Sequence, residues 1–260
     1  MPRERVYRTE AVVLRRSDWS EADRLLTLLT PGGKRRVVAK GARKTISRLA
    51  GHIELFCYTT MLLAVGRTFD IVTQSAVRQS YERLRGDLQR ISAAYYTAEL
   101  IDRLIGEDDE NPLTFELLVE TLGALDSTRA IDLTLRYFEL RLLGNIGYRP
   151  RLHNCANCQQ TLGEDAKRFS TTAGGVLCPR CENADRRALP MSLGAFKLLR
   201  YLQTQSAQAV EQMTLSESLR HEVEQLLRAY LRQVLERDLK SVAFLDDVRT
   251  DPQGDHHGLH

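Results

Sequence analysis

Residues 11–44, AVVLRRSDWSEADRLLTLLTPGGKRRVVAKGARK, decide how the front of this chain folds. EAVVLRR (10–16), RLLTLLT (24–30) and KRRVVAK (34–40) are short runs rich in Val, Leu and Thr, and Pro31-Gly32-Gly33 supplies a hairpin turn between the last two. ELFCYTTMLLAV (54–65) and FDIVTQSAV (69–77) continue the pattern, with breaks at Gly41, Gly51 and Gly66. Five strands with glycine breaks predict a small barrel that limits exposed edges by closing on itself, as the OB fold does. An SH3-like barrel with the same number of strands is the alternative.

From Asp87 the period becomes helical. Ile131, Leu135, Phe138 and Leu142 fall on one stripe, and the run ends at Gly144, Gly147 and Pro150. Ser192 is placed to cap a helix reaching about Gln203, and Thr214 with Glu217 forms a capping-box pattern before a further helix. The expected architecture is α+β and multidomain. An OB-fold barrel (1–85) leads to a helical domain (86–150 and 188–247), which carries a four-cysteine zinc-finger insertion (151–187) and a loose tail (248–260).

The chain has 260 residues and 43% apolar content, enough for two cores. Its longest apolar run, Leu55 to Val65, is too short to cross a bilayer, so no membrane partner and a cytoplasmic, nucleoid-associated location are expected. Charge is unevenly spread. Residues 1–85 hold 17 Lys and Arg against 8 Asp and Glu, a net of +9, whereas residues 86–260 hold 20 against 26, a net of −6. The barrel end suits a polyanion.

Four of the five cysteines form the pairs CANC (155–158) and CPRC (178–181), while Cys57 stands alone. Cys155, Cys158, Cys178 and Cys181 have the spacing of a tetrahedral four-thiolate site, which leaves no open position and predicts one structural Zn²⁺. An iron–sulfur cluster would use the same ligands, and a thioredoxin-like reading lacks its strand–helix context. His153 is expected to be exposed and not a ligand. From Arg149 to Arg187, seven basic residues stand against four acidic ones, and four thiolates with one Zn²⁺ subtract two charges. That residual field is weak for phosphates, so stabilisation is the expected role, with contact to DNA or a partner as the sharper option.

Catalytic motifs fail on inspection. Aligning a phosphate-binding loop on Lys44-Thr45 puts Arg43 and Val38 where glycines are required. His52 and Glu54 form a His-x-Glu, but neither cysteine pair follows the proline of a zinc deaminase. Glu107 to Glu110 read as a solvated loop, with a magnesium nuclease as the alternative. The tail histidines His256, His257 and His260 carry no specific assignment. Binding without catalysis is therefore expected, through Arg15, Arg16, Lys34, Arg35, Arg36, Lys40, Arg43, Lys44 and Arg48, around the second and third strands. Trp19, Tyr7 and Phe69 are candidates for base stacking, with burial in the core as the commoner fate of such residues.

Several of these stretches resemble one family, the RecO recombination and repair proteins of bacteria. The resemblance rests on the Ser-Glu-x-Asp-x-Leu run (Ser20 to Leu25), the Gly-Lys turn, Lys-Gly-Ala-Arg at 40–43, FELRLLGNIGYRPRLHNCANC (138–158) and FSTTAGGVLCPRC (169–181). It implies an OB-fold domain, a helical domain and a zinc insertion. It also implies binding of single- and double-stranded DNA, annealing of complementary strands, and loading of the RecA recombinase with RecR, often RecF, onto strands coated by single-strand-binding protein. In some members the helical domain holds the acidic tail of that coating protein (SSB). The family's barrel contacts map onto Lys40 and Arg43. A structural adaptor, whose barrel docks an acidic protein, is the competing reading.

Overall fold

A computed structural model describes residues 6–44, 49–107 and 109–235 of the chain. Arg48, Asp108 and the 248–260 tail, with its histidines, lie outside the described residues.

Five strands close into a barrel in the order β1-β2-β3-β5-β4. They are β1 (Val6–Asp18), β2 (Arg24–Thr30), β3 (Gly33–Ala39), β4 (Tyr58–Ala64) and β5 (Asp70–Gln79). All neighbours are antiparallel except β3 and β5, which pair parallel through Val37 with Asp70 and Val38 with Ile71. This is OB-fold topology.

The AVVL run at 11–14 is buried throughout because both of its faces are covered. Successive strand residues point to opposite sides. Ala11 and Val13 enter the barrel core with Leu26, Leu28, Val37 and Met61, whereas Val12 and Leu14 join Leu29 and Phe56 in the larger helical core. The barrel is thereby packed onto the helices along β1.

One strand is shorter than the sequence suggests. Residues 50–53 form a 3-10 turn, and Phe56 takes a left-handed φ of 65° as Cys57 N–H donates to Glu54 O at 3.1 Å, so β4 begins only at Tyr58. The apolar residues Leu55 to Cys57 therefore belong to a packed turn.

Among the described residues, seven α-helices follow: α1 (Glu82–Gly86), α2 (Leu88–Leu104), α3 (Pro112–Ser127), α4 (Ile131–Asn145), α5 (Leu193–Thr204), α6 (Ala207–Glu211) and α7 (Glu217–Leu235). Their starts are chemically marked. Asp87 accepts from Arg90 N–H, Asn111 from Thr114 N–H with Pro112 in the first turn, and Ser192 from Ala195 N–H. The cap of α7 is Ser216, whose Oγ lies 3.3 Å from Leu219 N, and not the Thr214 of the sequence pattern.

A second departure concerns α4. Its sequence shows one apolar stripe, yet Leu133 to Leu140 are buried without a break, because α2, α3, α5, α6 and α7 all pack against it. Arg136 and Glu139 are carried inside, where they pair at 2.7 Å; Tyr96 Oη donates to Glu139 at 2.5 Å, and Glu224 lies 3.5 Å from Arg136. Burial alone would lower the Arg136 pKa, but the surrounding carboxylates raise it, and the guanidinium stays charged.

Between α4 and α5 sits a small sheet, ordered β7-β6-β8, of β6 (Arg168–Ser170), β7 (Gly175–Leu177) and β8 (Leu189–Pro190). Phe169 and Val176 of this sheet, with Leu152, Leu162 and Met191 of the segments around it, share the helical core with Phe196 and Leu227.

Candidate nucleic-acid interface and metal centre

The Ser-Glu-x-Asp run and Lys-Gly-Ala-Arg form one structural unit. Asp23 Oδ1 accepts from Gly41 N–H at 2.8 Å, and Arg43 N–H donates to Ala22 O at 3.0 Å. Within the first loop, Ser20 Oγ accepts from Asp23 N–H at 3.2 Å. Gly41 adopts φ 65°, a left-handed turn that suits glycine, and Ala42 is tucked into the barrel core. The turn consequently presents Lys40, Arg43 and Lys44 outward, all exposed.

The remaining described cations differ in how firmly they are held. Lys34, with a side chain 12% exposed, donates from Nζ to both Oδ1 (3.0 Å) and the backbone O (2.6 Å) of Asp102 on α2. Arg15 reaches the other carboxylate oxygen at 3.0 Å. Arg36 pairs with Glu107 at 2.9 Å, Arg16 with Glu54 at 2.5 Å, and Arg35 lies 3.4 Å from Gly32 O. Arg43 donates to Ser20 O at 2.8 Å and lies 3.3 Å from Asp18. Among the described residues, the side chains of Lys40 and Lys44 alone of the candidates form neither an ion pair nor a hydrogen bond.

Sequence spacing could not show this division. Asp102 and Glu107 lie more than sixty residues from Lys34 and Arg36, and they occupy barrel cations only because the C-terminal end of α2 and the loop after it reach β3. Arg15, Lys34 and Arg36 therefore join the barrel to the helices, Arg15 and Arg36 while staying accessible, and the 40–44 turn carries the two cations whose side chains are unpaired.

The aromatics divide as well. Tyr7 is partly buried against the barrel core, and its hydroxyl donates to Asp70 at 2.5 Å. Trp19, contrary to the commoner fate of such residues, is 53% exposed. Its ring meets Phe69 edge-on, with centroids 5.4 Å apart.

The four cysteines converge, with all sulfurs within 4.8 Å of one another. The Cys158 and Cys178 sulfurs are 3.8 Å apart. A tetrahedron built on a metal–sulfur length of about 2.3 Å has an edge of about 3.8 Å, so the set fits an ion of that size. Burial pushes the Cys155 thiol up, but backbone N–H groups of Cys158, Cys178 and Asn157 outweigh it and bring the pKa down to about 6. Asn157 Nδ2 also donates to Cys181 Sγ at 3.3 Å. Donors already directed at sulfur suit thiolates holding a cation. His153 is exposed and outside the cluster.

Glu107 is exposed outside the helices, as expected of a solvated loop, and also pairs with Arg36. Among the described residues, no helix is long and apolar enough to cross a membrane.

Comparison with known proteins agrees with this architecture over nearly the whole chain. Residues 3–81 match the model of the recombination protein O N terminal, and residues 85–243 that of the recombination protein O C terminal. The DNA repair protein RecO of Roseiflexus sp. (strain RS-1) is 60% identical over 95% of this chain and 87% of its own length. The DNA repair protein RecO of Dehalococcoides mccartyi is 40% identical over 93% and 96%, and that of Symbiobacterium thermophilum 34% identical over 94% and 98%. With both halves matched in order and relatives of this similarity, the chain belongs to the RecO family of DNA repair proteins.

Proposed function

We propose that the protein is a recombination mediator without a catalytic centre, binding single- and double-stranded DNA through its barrel. The exposed Lys40, Arg43 and Lys44 turn carries this reading. Each cation neutralises a phosphate and releases a condensed counterion, which gives affinity without sequence preference. The same neutralisation lowers the repulsion between two strands and so favours annealing. Together with RecR, RecF and the acidic tail of SSB, the protein places RecA on coated single strands in the cytoplasm; family membership supports these partners.

The cysteine cluster, in this reading, holds one Zn²⁺, supported by its sulfur spacing. Four sulfurs complete the tetrahedral shell, so the ion supplies folding energy and no activated water.

The test is a DNA titration across salt, with and without RecR. Affinity should fall steeply with salt on any sequence, and magnesium should produce no cleavage. Salt-independent binding, or RecR and DNA excluding one another from the barrel, would favour a protein-docking adaptor instead.

A further inference from the structure

Trp19 lies in the β1–β2 loop and Phe69 in the β4–β5 loop, the two loops through which OB folds engage oligonucleotides. A half-exposed indole is unusual for a side chain with so much apolar area to bury. Nothing disordered holds it there. The Trp19 backbone N–H donates to Asp23 O at 3.1 Å, so the backbone that carries the indole is fixed within the same loop that anchors Gly41, and the ring itself rests on Phe69.

Phe69 is fixed from the other side. Its face carries the Arg36 guanidinium, 5.4 Å from the ring centroid. Its loop is tight: a Cβ at Gly66 would fall 1.9 Å from Phe69 O, and Gly66 N–H donates to Asp70 Oδ1 at 3.0 Å. With Trp19 half-exposed and its contact with Phe69 perpendicular, indole surface remains open to a third ring. The exposed cations Lys40, Arg43 and Lys44 stand on the turn bonded to the Trp19 loop, and Arg67 is exposed beside Phe69.

We propose that Trp19, supported by Phe69, is a stacking platform for an unpaired nucleobase, and that it makes the barrel prefer single-stranded over duplex nucleic acid. The proposal rests on the reading that the barrel binds DNA. An aromatic face accepts any base, so stacking adds affinity without sequence preference. In a duplex the base faces are occupied by their neighbours, and only the phosphates remain for the cationic turn. Of the three carboxylates in the Trp19 loop, Asp18 is paired with Arg43 and Asp23 accepts from Gly41 N–H, so the exposed Lys40, Lys44 and Arg67 outweigh Glu21 and select this occupant over an uncharged apolar partner.

Trp19 is the sole tryptophan of the chain, so its emission reports on this position alone. The full-length protein is titrated with a fluorescein-labelled single strand of about fifteen thymidylates, a length suited to one OB fold, and with a blunt duplex of equal length. Anisotropy measures binding, and an unlabelled parallel series follows indole emission. Emission should be quenched by the single strand in step with binding and stay unchanged with the duplex. Trp19→Ala should weaken single-strand binding about ten-fold, leave duplex binding within two-fold and preserve the melting temperature, with Trp19→Phe intermediate.

Single-strand binding that leaves the emission unchanged, or a Trp19→Ala loss equal on both substrates, overturns the platform while DNA binding stands. Absence of anisotropy change with either DNA defeats the broader reading, and the platform with it.

Discussion

The Lys34 ammonium sits between the Asp102 carboxylate, at 3.0 Å, and the Asp102 backbone carbonyl, at 2.6 Å, joining β3 to α2. The pair is mostly buried, with side chains 12% and 21% exposed, whereas Arg15 on the same carboxylate is 72% exposed. Asp102→Ala strands a largely dehydrated ammonium and should cost about 1–3 kcal/mol in chemical denaturation. Arg15→Ala, at the wet end, should cost less than about 1 kcal/mol. Equal losses would mean that burial does not set the strength of this junction.

The same contact carries a pH dependence. Burial pushes the Asp102 carboxyl up, but hydrogen bonds from Lys34 and Arg15 prevail and hold it below the ordinary 3.8. A carboxyl with a folded pKa below its unfolded one stabilises fully above about pH 4 and loses that contribution as pH falls through the folded value. Wild type should therefore lose stability on acidification below pH 4 more steeply than Asp102→Asn. Parallel profiles would remove Asp102 from the acid transition.

Phosphate binding and domain joining should separate by mutation. Lys40→Ala with Arg43→Ala removes two cations from the exposed turn, so the salt slope for a single strand should flatten by about 1.4 while the melting temperature changes little. Lys34→Ala should do the reverse, lowering stability with the slope retained. An unchanged slope in the first variant would place the phosphate contacts elsewhere on the barrel.

Cys155 is fully buried in the core shared by the small sheet and the helices, so loss of the proposed zinc there would be a folding event. Cys155→Ser should abolish stoichiometric zinc and destabilise the chain by about 4 kcal/mol or more, read by metal analysis and thermal melting. A soluble Cys155→Ser protein melting at the wild-type temperature would show that the ion is dispensable to the fold.

The barrel, the cap at Ser192 and the convergence of the four cysteines were legible because each is written in local pattern: strand runs, a single capping side chain, a fixed spacing. Burial of Arg136 and Glu139 was not, since it depends on five other helices surrounding α4. The roles of the cations were equally hidden. Lys34 and Lys40 are alike in sequence, and only the approach of the C-terminal end of α2 to β3 makes one a junction and leaves the other free for solvent. Trp19 deceived for a related reason: propensity assigns large aromatics to the interior, and a loop that uses one outside violates that average.

Gly175 governs how the two cysteine pairs meet. The chain at Arg151 runs beside Gly175, with Val176 N–H donating to Arg151 O and Arg151 N–H to Gly174 O, both at 2.9 Å, and Ala156 N–H donating to Val176 O at 2.8 Å. This approach carries the segment before Cys155 onto the segment before Cys178. A Cβ on Gly175 would lie 2.4 Å from Arg151 O and 2.7 Å from Arg151 N, backbone atoms unable to yield without parting the strands. Gly175→Ala should therefore cost about 3 kcal/mol or more and lower zinc occupancy with every cysteine still present. Gly144→Ala is the control: nothing lies within 4 Å of its added Cβ, near the end of α4, and it should be neutral or slightly stabilising. If Gly175→Ala binds zinc and melts like Gly144→Ala, the backbone approach at Arg151 does not position the cysteines.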